Sequence, residues 1–347
     1  MKFMLQIAEN VSLSQYSTMR LGGTARYLCS VQTRSEVAEA VAWAITHQTP
    51  PIMIGTGSNI IWKDEGFDGL IIVNNIMGYE DFAEDETNHY LTIGAGETWD
   101  SVVARSVQSG LTGIEALSLV PGTAGATPIQ NVGAYGQDIS QTLVSVEAFD
   151  LTTQSFLTLP ASDCNFSYRA SRFNREDRGR FLITGITLHL MKQNPLPPFY
   201  GALEKYFTEH SITQYGPAVV RNAVIDIRSH KLPDPATTAN CGSFFANPII
   251  DQDALLDLQV AYPDIPHWPT DDPEKVKIPA AWLLESAGFK DFRDEATGMA
   301  TWPAQPLVLV NEKARTVADL LAFKARIVET VKEKFSIELV QEPELLP

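Results

Sequence analysis

Val120-Pro121-Gly122-Thr123-Ala124-Gly125-Ala126-Thr127-Pro128-Ile129-Gln130-Asn131-Val132-Gly133-Ala134-Tyr135-Gly136 is the most informative stretch of this chain. It holds four glycines, and several of its other residues are no larger than threonine. A backbone so lightly clothed can approach a ligand closely and aim its amides at anionic oxygens. For any single glycine, a tight turn is the plainer reading. A second segment of the same kind, Ile54-Gly55-Thr56-Gly57-Ser58-Asn59, shifts the balance toward a pyrophosphate-bearing cofactor.

Working outward, the first loop lies in an α/β unit. Thr33 and Glu36 have capping-box spacing, and Val37, Ala40, Val41, Ala44 and Ile45 follow on one helical face. Pro50 and Pro51 stop that helix, residues 52–54 read as a short buried strand, and 70–73 as another. Between a strand at 90–93 and a helix at 98–109 closed by Gly110 lies Gly94-Ala95-Gly96. Trp99 stands where a dinucleotide fingerprint needs its third glycine, so we read a tight strand-to-helix turn. Strands follow at 144–149, 155–159 and 181–190, then a proline-rich loop at 194–200. A last helix at 316–335 puts Val317, Leu320, Leu321, Ile327, Val328 and Val331 on one face. A final strand at 337–340 leads to Glu342-Pro343-Glu344.

Composition excludes several functions. A chain of 347 residues exceeds one ordinary core and points to two or three domains. Its net charge of −16 argues against a nucleic-acid surface, though not against a small phosphate ligand held by backbone amides. No apolar run approaches the ~18 residues of a membrane helix. Residues 1–13 lack the pattern of a secretory signal, so a cytoplasmic protein is expected. Cys29, Cys164 and Cys241 form no CxxC and the six histidines no HxxxH pair, so no metal site is expected.

The two loops, with Ser17-Thr18-Met19-Arg20-Leu21-Gly22-Gly23 upstream, resemble the UDP-N-acetylenolpyruvoylglucosamine reductase (MurB) family over residues 17–344. The resemblance implies an α/β plus α+β chain: the two-subdomain FAD-binding fold of the vanillyl-alcohol-oxidase-like (PCMH-type) flavoproteins with a separate substrate-binding domain. It implies FAD-binding subdomains at 1–75 and at 76–230 with 337–347, and a UDP-sugar domain at 231–336. By the same resemblance, Gly55, Thr56, Gly57, Ser58 and Asn59 hold the FAD pyrophosphate. Pro121, Gly122, Ala124, Gly125, Ala126, Ile129, Asn131, Gly133 and Ala134 lie along the flavin and its ribityl chain, and Arg228 touches flavin or substrate. Neither loop contains His or Cys, so the FAD is expected to be noncovalent.

The activity implied is NADPH-dependent reduction, through FAD, of UDP-N-acetylglucosamine enolpyruvate to UDP-N-acetylmuramate in peptidoglycan precursor synthesis. Hydride addition to the terminal alkene carbon builds negative charge at C2 and into the carboxylate. That charge must be spread by cations or donors, and C2 must then receive a proton. The resemblance gives these tasks to Arg169 at the carboxylate, Ser243 as proton donor and Glu344 as the acidic group, with Glu342 close enough to compete. Alone, these residues would read as a surface ion pair, a satisfied hydroxyl and a frayed tail. Tyr135, Tyr168, Tyr200, Lys231, Asn247, Trp268, Lys290 and Gln305 match substrate contacts. Tyr200 belongs to the subclass with a covering tyrosine loop, and Trp268 stands where tyrosine is the commoner residue. A monomer without nucleic-acid or membrane partners is expected. The rival reading is a related FAD-dependent sugar or alcohol oxidase, which would share the loops without needing Arg169, Ser243 and Glu344 together.

Overall fold

Leu70-Ile71-Ile72-Val73 is a continuous apolar run, the mark of a strand covered on both faces. In the computed structural model, which describes residues 5–347, it lies between two parallel strands. The chain opens with β1 (Ala8–Ser12), β2 (Thr24–Val31), α1 (Arg34–Thr46), β3 (Pro51–Ile54), β4 (Ile60–Trp62) and β5 (Phe67–Asn74). The order β1-β2-β5-β3 places β5 between two parallel neighbours, with Leu70, Ile71 and Ile72 fully buried. The Thr33 hydroxyl accepts from the Glu36 amide at the start of α1, while the Glu36 carboxylate accepts from the Gln32 amide. Val37, Ala40, Val41 and Ala44 are buried as the periodicity requires; Ile45 lies off the stripe and is exposed.

Next come β6 (Tyr79–Ala83), β7 (Asn88–Gly94), α2 (Trp99–Gln108), the short hairpin β8 (Gly133–Ala134) and β9 (Gln137–Asp138), β10 (Leu143–Asp150), β11 (Ser155–Pro160) and β12 (Phe181–Met191). Five of these strands make an antiparallel sheet in the order β11-β10-β12-β7-β6. Phe149 and Leu182 from it enter the cluster built by Cys29, Val37, Ala40, Leu70 and Ile72. That shared core fuses the two expected flavin subdomains into one compact unit, which runs up to Val11 and includes Ala25–Thr56 and Phe67–Ser229. The turn between β7 and α2 is structural: a Cβ on Gly94 would lie 2.4 Å from the Ile76 oxygen, and one on Gly96 2.6 Å from the Asn75 carbonyl carbon. The unit also holds α3 (Gly201–Glu209) and nearly all of α4 (Pro217–Lys231), which bury Leu203, Phe207, Val220 and Val224 together.

The second unit comprises Ser12–Thr24, Gly57–Gly66 and His230–Pro347. Along it lie β13 (Asn240–Ser243), β14 (Ile249–Asp251), α5 (Gln252–Ala261), β15 (Trp268–Pro269), β16 (Lys275–Lys277), α6 (Ala280–Ser286), β17 (Arg293–Asp294), β18 (Met299–Trp302), β19 (Gln305–Asn311), α7 (Val317–Phe335) and β20 (Glu344–Leu346). Its sheets are β13-β19-β18-β17, β14-β16-β15 and the parallel pair β20-β4. The helix α7 opens with a capping box between Thr316 and Asp319 and buries Val317, Leu320, Phe323, Ile327 and Val331.

Three boundaries differ from the expectation. Residues 337–340 are not a strand: Ile337 and Leu339 alternate because they are buried in the cluster with α7, without joining a ladder. The last strand is β20, and it pairs with β4 (Glu344 opposite Ile60) rather than joining the second flavin subdomain. Residues 12–24 and 57–66, expected in the first flavin subdomain, belong to the second unit, since Met19, Leu21 and Ile61 share a core with Phe244, Leu283 and Leu309. Among the described residues, no helix is long and apolar enough to cross a membrane.

Candidate active site

In the first unit the two glycine-bearing loops touch. A Cβ on Gly55 would lie 2.5 Å from the Thr123 hydroxyl, so only glycine allows that approach. The long loop is pinned to the turn before α2 by backbone bonds from Ala124 to the Glu97 carbonyl (2.8 Å) and from Gly125 to that of Ala95 (2.9 Å). Ala124, Gly125 and Thr127 are buried, while Pro121 and Ala126 are exposed. Asn131, with φ +48°, is a structural tie: its amide donates to the Ser167 carbonyl (3.2 Å) and its side-chain oxygen accepts from the Ser140 amide (3.1 Å). The Ile129 carbonyl accepts from the Ser171 hydroxyl at 2.6 Å.

Tyr168 and Arg169 form the corner of a turn closed by paired backbone bonds between Ser167 and Ala170. The Arg169 guanidinium donates to the Gly133 carbonyl at 2.9 Å and lies over the Tyr168 ring at 5.3 Å. Arg169 is thereby held beside Gly133 and Ala134 of the long loop. A third group gathers at the far end of that loop. Arg228 hydrogen-bonds Tyr135 and donates to the Leu119 carbonyl (3.2 Å), and its buried Nε has no hydrogen-bond partner among the described residues. Tyr135 meets Tyr200 edge-on with ring centres 5.9 Å apart. The proline-rich loop therefore folds against the Tyr135–Gly136 turn. Burial pulls the Arg228 pKa below its usual value and pushes the Tyr135 phenol up.

In the second unit, β13 carries Ser243. Between the pairs Asn240–Val310 and Ser243–Val308 the register slips, and Gly242 there has φ +73°. Such an irregularity re-aims the side chain that follows it. Cys241 goes into the core, where burial raises its thiol pKa far above the usual value, while Ser243 is half-buried. The slip breaks the alternation by which the two would share a face. The C-terminal segment runs alongside: the Ala246 amide donates to the Val340 carbonyl (3.0 Å), Glu342 to Phe244 (2.9 Å) and Glu344 to Asn59 (2.9 Å). Glu344 is therefore a half-buried strand residue and not a frayed tail, with Asn59 of the first loop beside it and Glu342 two residues back. The upstream motif supports the same loop, as Thr18 donates its amide to the Gly57 carbonyl at 3.0 Å.

The remaining expected contacts are dispersed through this unit. The Asn247 side-chain oxygen accepts from the Ala280 amide at the start of α6 (2.9 Å). Lys290 is paired with Glu285 (2.5 Å), Gln305 opposes Trp302 where β18 turns into β19, and Lys231 is exposed at the end of α4. Trp268 lies opposite Lys277, whose ammonium is 5.8 Å from the indole. The Lys275-Val276-Lys277 alternation about the buried Val276 puts Lys277 on the outer face of that strand, beside Trp268.

Residues 25–154 match a family model described as an FAD binding domain, and residues 234–346 one described as the C-terminal domain of UDP-N-acetylenolpyruvoylglucosamine reductase. A reductase of that name from Amoebophilus asiaticus is 38% identical over 98% of this chain and 99% of its own length. One from Alcanivorax borkumensis is 38% identical over 98% and 96%. This chain belongs to the UDP-N-acetylenolpyruvoylglucosamine reductase family. The crystal structure of MurB from Thermus caldophilus has the same fold, with a TM-score of 0.67 at 22% identity over 99% of this chain and all of that one.

The residues present fit the FAD of that family. Gly57 has φ +74° and a Cβ there would lie 2.1 Å from the Tyr16 oxygen, so the first loop is glycine at that position because it runs directly against the main chain of Tyr16. Among the described residues, the amides of Thr56 and Gly57 donate to no backbone carbonyl, the condition in which loop amides can meet an anionic oxygen.

Proposed function

We propose that this chain reduces UDP-N-acetylglucosamine enolpyruvate to UDP-N-acetylmuramate with NADPH, as a cytoplasmic monomer in peptidoglycan precursor synthesis. One observation carries the reading: near-full-length identity of 38% to reductases of this name, in a chain whose two glycine-bearing loops meet at Gly55 and Thr123. When bound, FAD supplies the two-electron chemistry that passes hydride from NADPH to the enolpyruvyl group. The chain's own residues bind, orient and protonate. Backbone amides of residues 55–59 hold the pyrophosphate, and residues 121–134 line the flavin. Without His or Cys in either loop, the cofactor is held noncovalently.

Arg169 takes the substrate carboxylate with its planar fork, which presents two parallel donors to two oxygens. Ser243 gives its proton to C2, a role open to a hydroxyl only beside a strongly basic carbanion-like centre. Glu344 polarises the same group, and Glu342 is the nearby alternative. Tyr135, Tyr168 and Tyr200 contact the substrate, Tyr200 as the covering residue of its subclass, and Arg228 stands at their edge. Lys231, Asn247, Trp268, Lys290 and Gln305 serve the UDP moiety, with Lys290 exchanging Glu285 for a phosphate oxygen.

The test is an anaerobic absorption trace of the FAD-loaded protein, with NADPH added first and the enolpyruvyl UDP-sugar second. Bleaching of the flavin band followed by its return is the expected result. Bleaching without return would overturn the substrate assignment and put the sugar or alcohol oxidase reading ahead. No bleaching would overturn the NADPH reductase reading itself.

A further inference from the structure

Asp100, the second residue of α2, and Arg221 of α4 are 121 residues apart in sequence and make a bidentate pair, Nη1 to Oδ1 at 2.7 Å and Nη2 to Oδ2 at 2.9 Å. The same carboxylate accepts from the Leu119 amide at 2.7 Å, and the same guanidinium donates to the Ser118 hydroxyl at 2.8 Å. Leu119 has φ +55°, a backbone state that costs a residue with a Cβ about 1–2 kcal/mol. Its carbonyl accepts from Arg228, which lies seven residues beyond Arg221 and so on the same face of α4. Asp100 therefore grips Leu119 by its amide and Arg228 grips it by its carbonyl, at the point where the long loop begins. Arg228 then reaches Tyr135 at the loop's end, and Tyr135 meets Tyr200.

We infer that Asp100 and Arg221 are positioning residues, a rigid pair that holds Leu119 in its left-handed state and thereby sets Arg228 and Tyr135 for the substrate. The inference rests on the reductase reading and touches no reacting atom. The electrostatics agree with it. Burial pushes the Asp100 carboxyl up, but the Arg221 guanidinium and the Leu119 amide together outweigh burial and hold it below the usual carboxylate range. Arg221 was chosen over lysine, on this account, because a point charge cannot make both parallel bonds.

The experiment is a double-mutant cycle on the FAD-loaded enzyme, with Asp100→Asn and Arg228→Met alone and combined. Asparagine keeps the shape and an acceptor for Leu119 but loses the charge and one acceptor of the fork. With far-UV spectrum and FAD content unchanged, Asp100→Asn should raise KM for the enolpyruvyl sugar by about tenfold, within the range of couplings inside one hydrogen-bond network. The rate of flavin reduction by NADPH should stay near that of the wild type. In the Arg228→Met background, Asp100→Asn should add almost nothing; with Arg228 in place, Asp100→Glu should lose less than Asp100→Asn does. Additive effects, or an unchanged KM, would overturn the inference. So would an Asp100→Asn chain that cannot fold, since the pair would then be a structural support alone. Wild-type enzyme inert toward the sugar would instead overturn the reductase reading, which keeps the two failures distinct.

Discussion

Replacing Gly57 by alanine tests whether the first loop must be glycine where it runs against the main chain of Tyr16. With φ +74°, alanine pays about 1–2 kcal/mol for the left-handed state alone. The new Cβ would also stand 2.1 Å from the Tyr16 oxygen, 2.7 Å from its carbonyl carbon and 3.0 Å from the Ser17 Cα. All three are main-chain atoms, so no rotamer change relieves the clash. Restoring an ordinary C···O approach of ~3.3 Å requires the strands of chain to part by roughly 1 Å. That movement breaks the 3.0 Å bond from the Thr18 amide to the Gly57 carbonyl, whose loss costs about 1 kcal/mol. The sum is about 2–3 kcal/mol, before any strain passed to the neighbouring Ser17 and Ile60. Gly110→Ala is the control: its φ is +77°, yet none of the described residues comes within 4 Å of the added Cβ beyond its chain neighbours, so only the conformational cost applies. Urea unfolding of both variants, with FAD content measured by absorbance, should show Gly57→Ala clearly the less stable and poorer in flavin. Equal stability of the two variants would refute the close-approach argument.

Two further outcomes are expected. Ser243→Ala should bind FAD and be reduced by NADPH normally while losing about 10²- to 10⁴-fold in sugar reduction, the span typical of a positioned proton donor; near-normal turnover in steady-state assays would remove Ser243 from the chemistry. Burial in the α1–β5 core, helped by Glu36, pushes the Cys29 thiol up to about 12. In the unfolded chain it ionises near ~8.5, so its contribution is fully present below that pH and is lost as pH rises toward the folded value. At pH 10 that loss is about 2 kcal/mol, and Cys29→Ala should remove it from the difference between urea midpoints at pH 7 and pH 10; identical pH slopes for variant and wild type would contradict this.

The periodic elements were legible in the sequence. The helices α2 and α7 begin and end within about a residue of where caps and apolar spacing place them, and α1 begins directly after its Thr33 cap but ends at Thr46, ahead of the Pro50-Pro51 stop, because helix period and capping are settled by residues three and four apart. The glycine-bearing loops were legible too, since a positive φ or a close backbone approach is a demand made at one position, as at Gly57 and Gly122. Their family likeness then placed the catalytic candidates. What the sequence could not say is which distant groups would meet. The ladder between β20 and β4, the register slip that turns Ser243 away from the face of Cys241, and the pairing of Lys290 with Glu285 were not read from it. Nor was the union of Asp100 with Arg221, whose residues carry no mark of each other across 121 positions. Local conformation follows from neighbours along the chain. Strand partners, bulges and buried ion pairs follow from which apolar faces close on one another, and that closure exists only in the folded molecule.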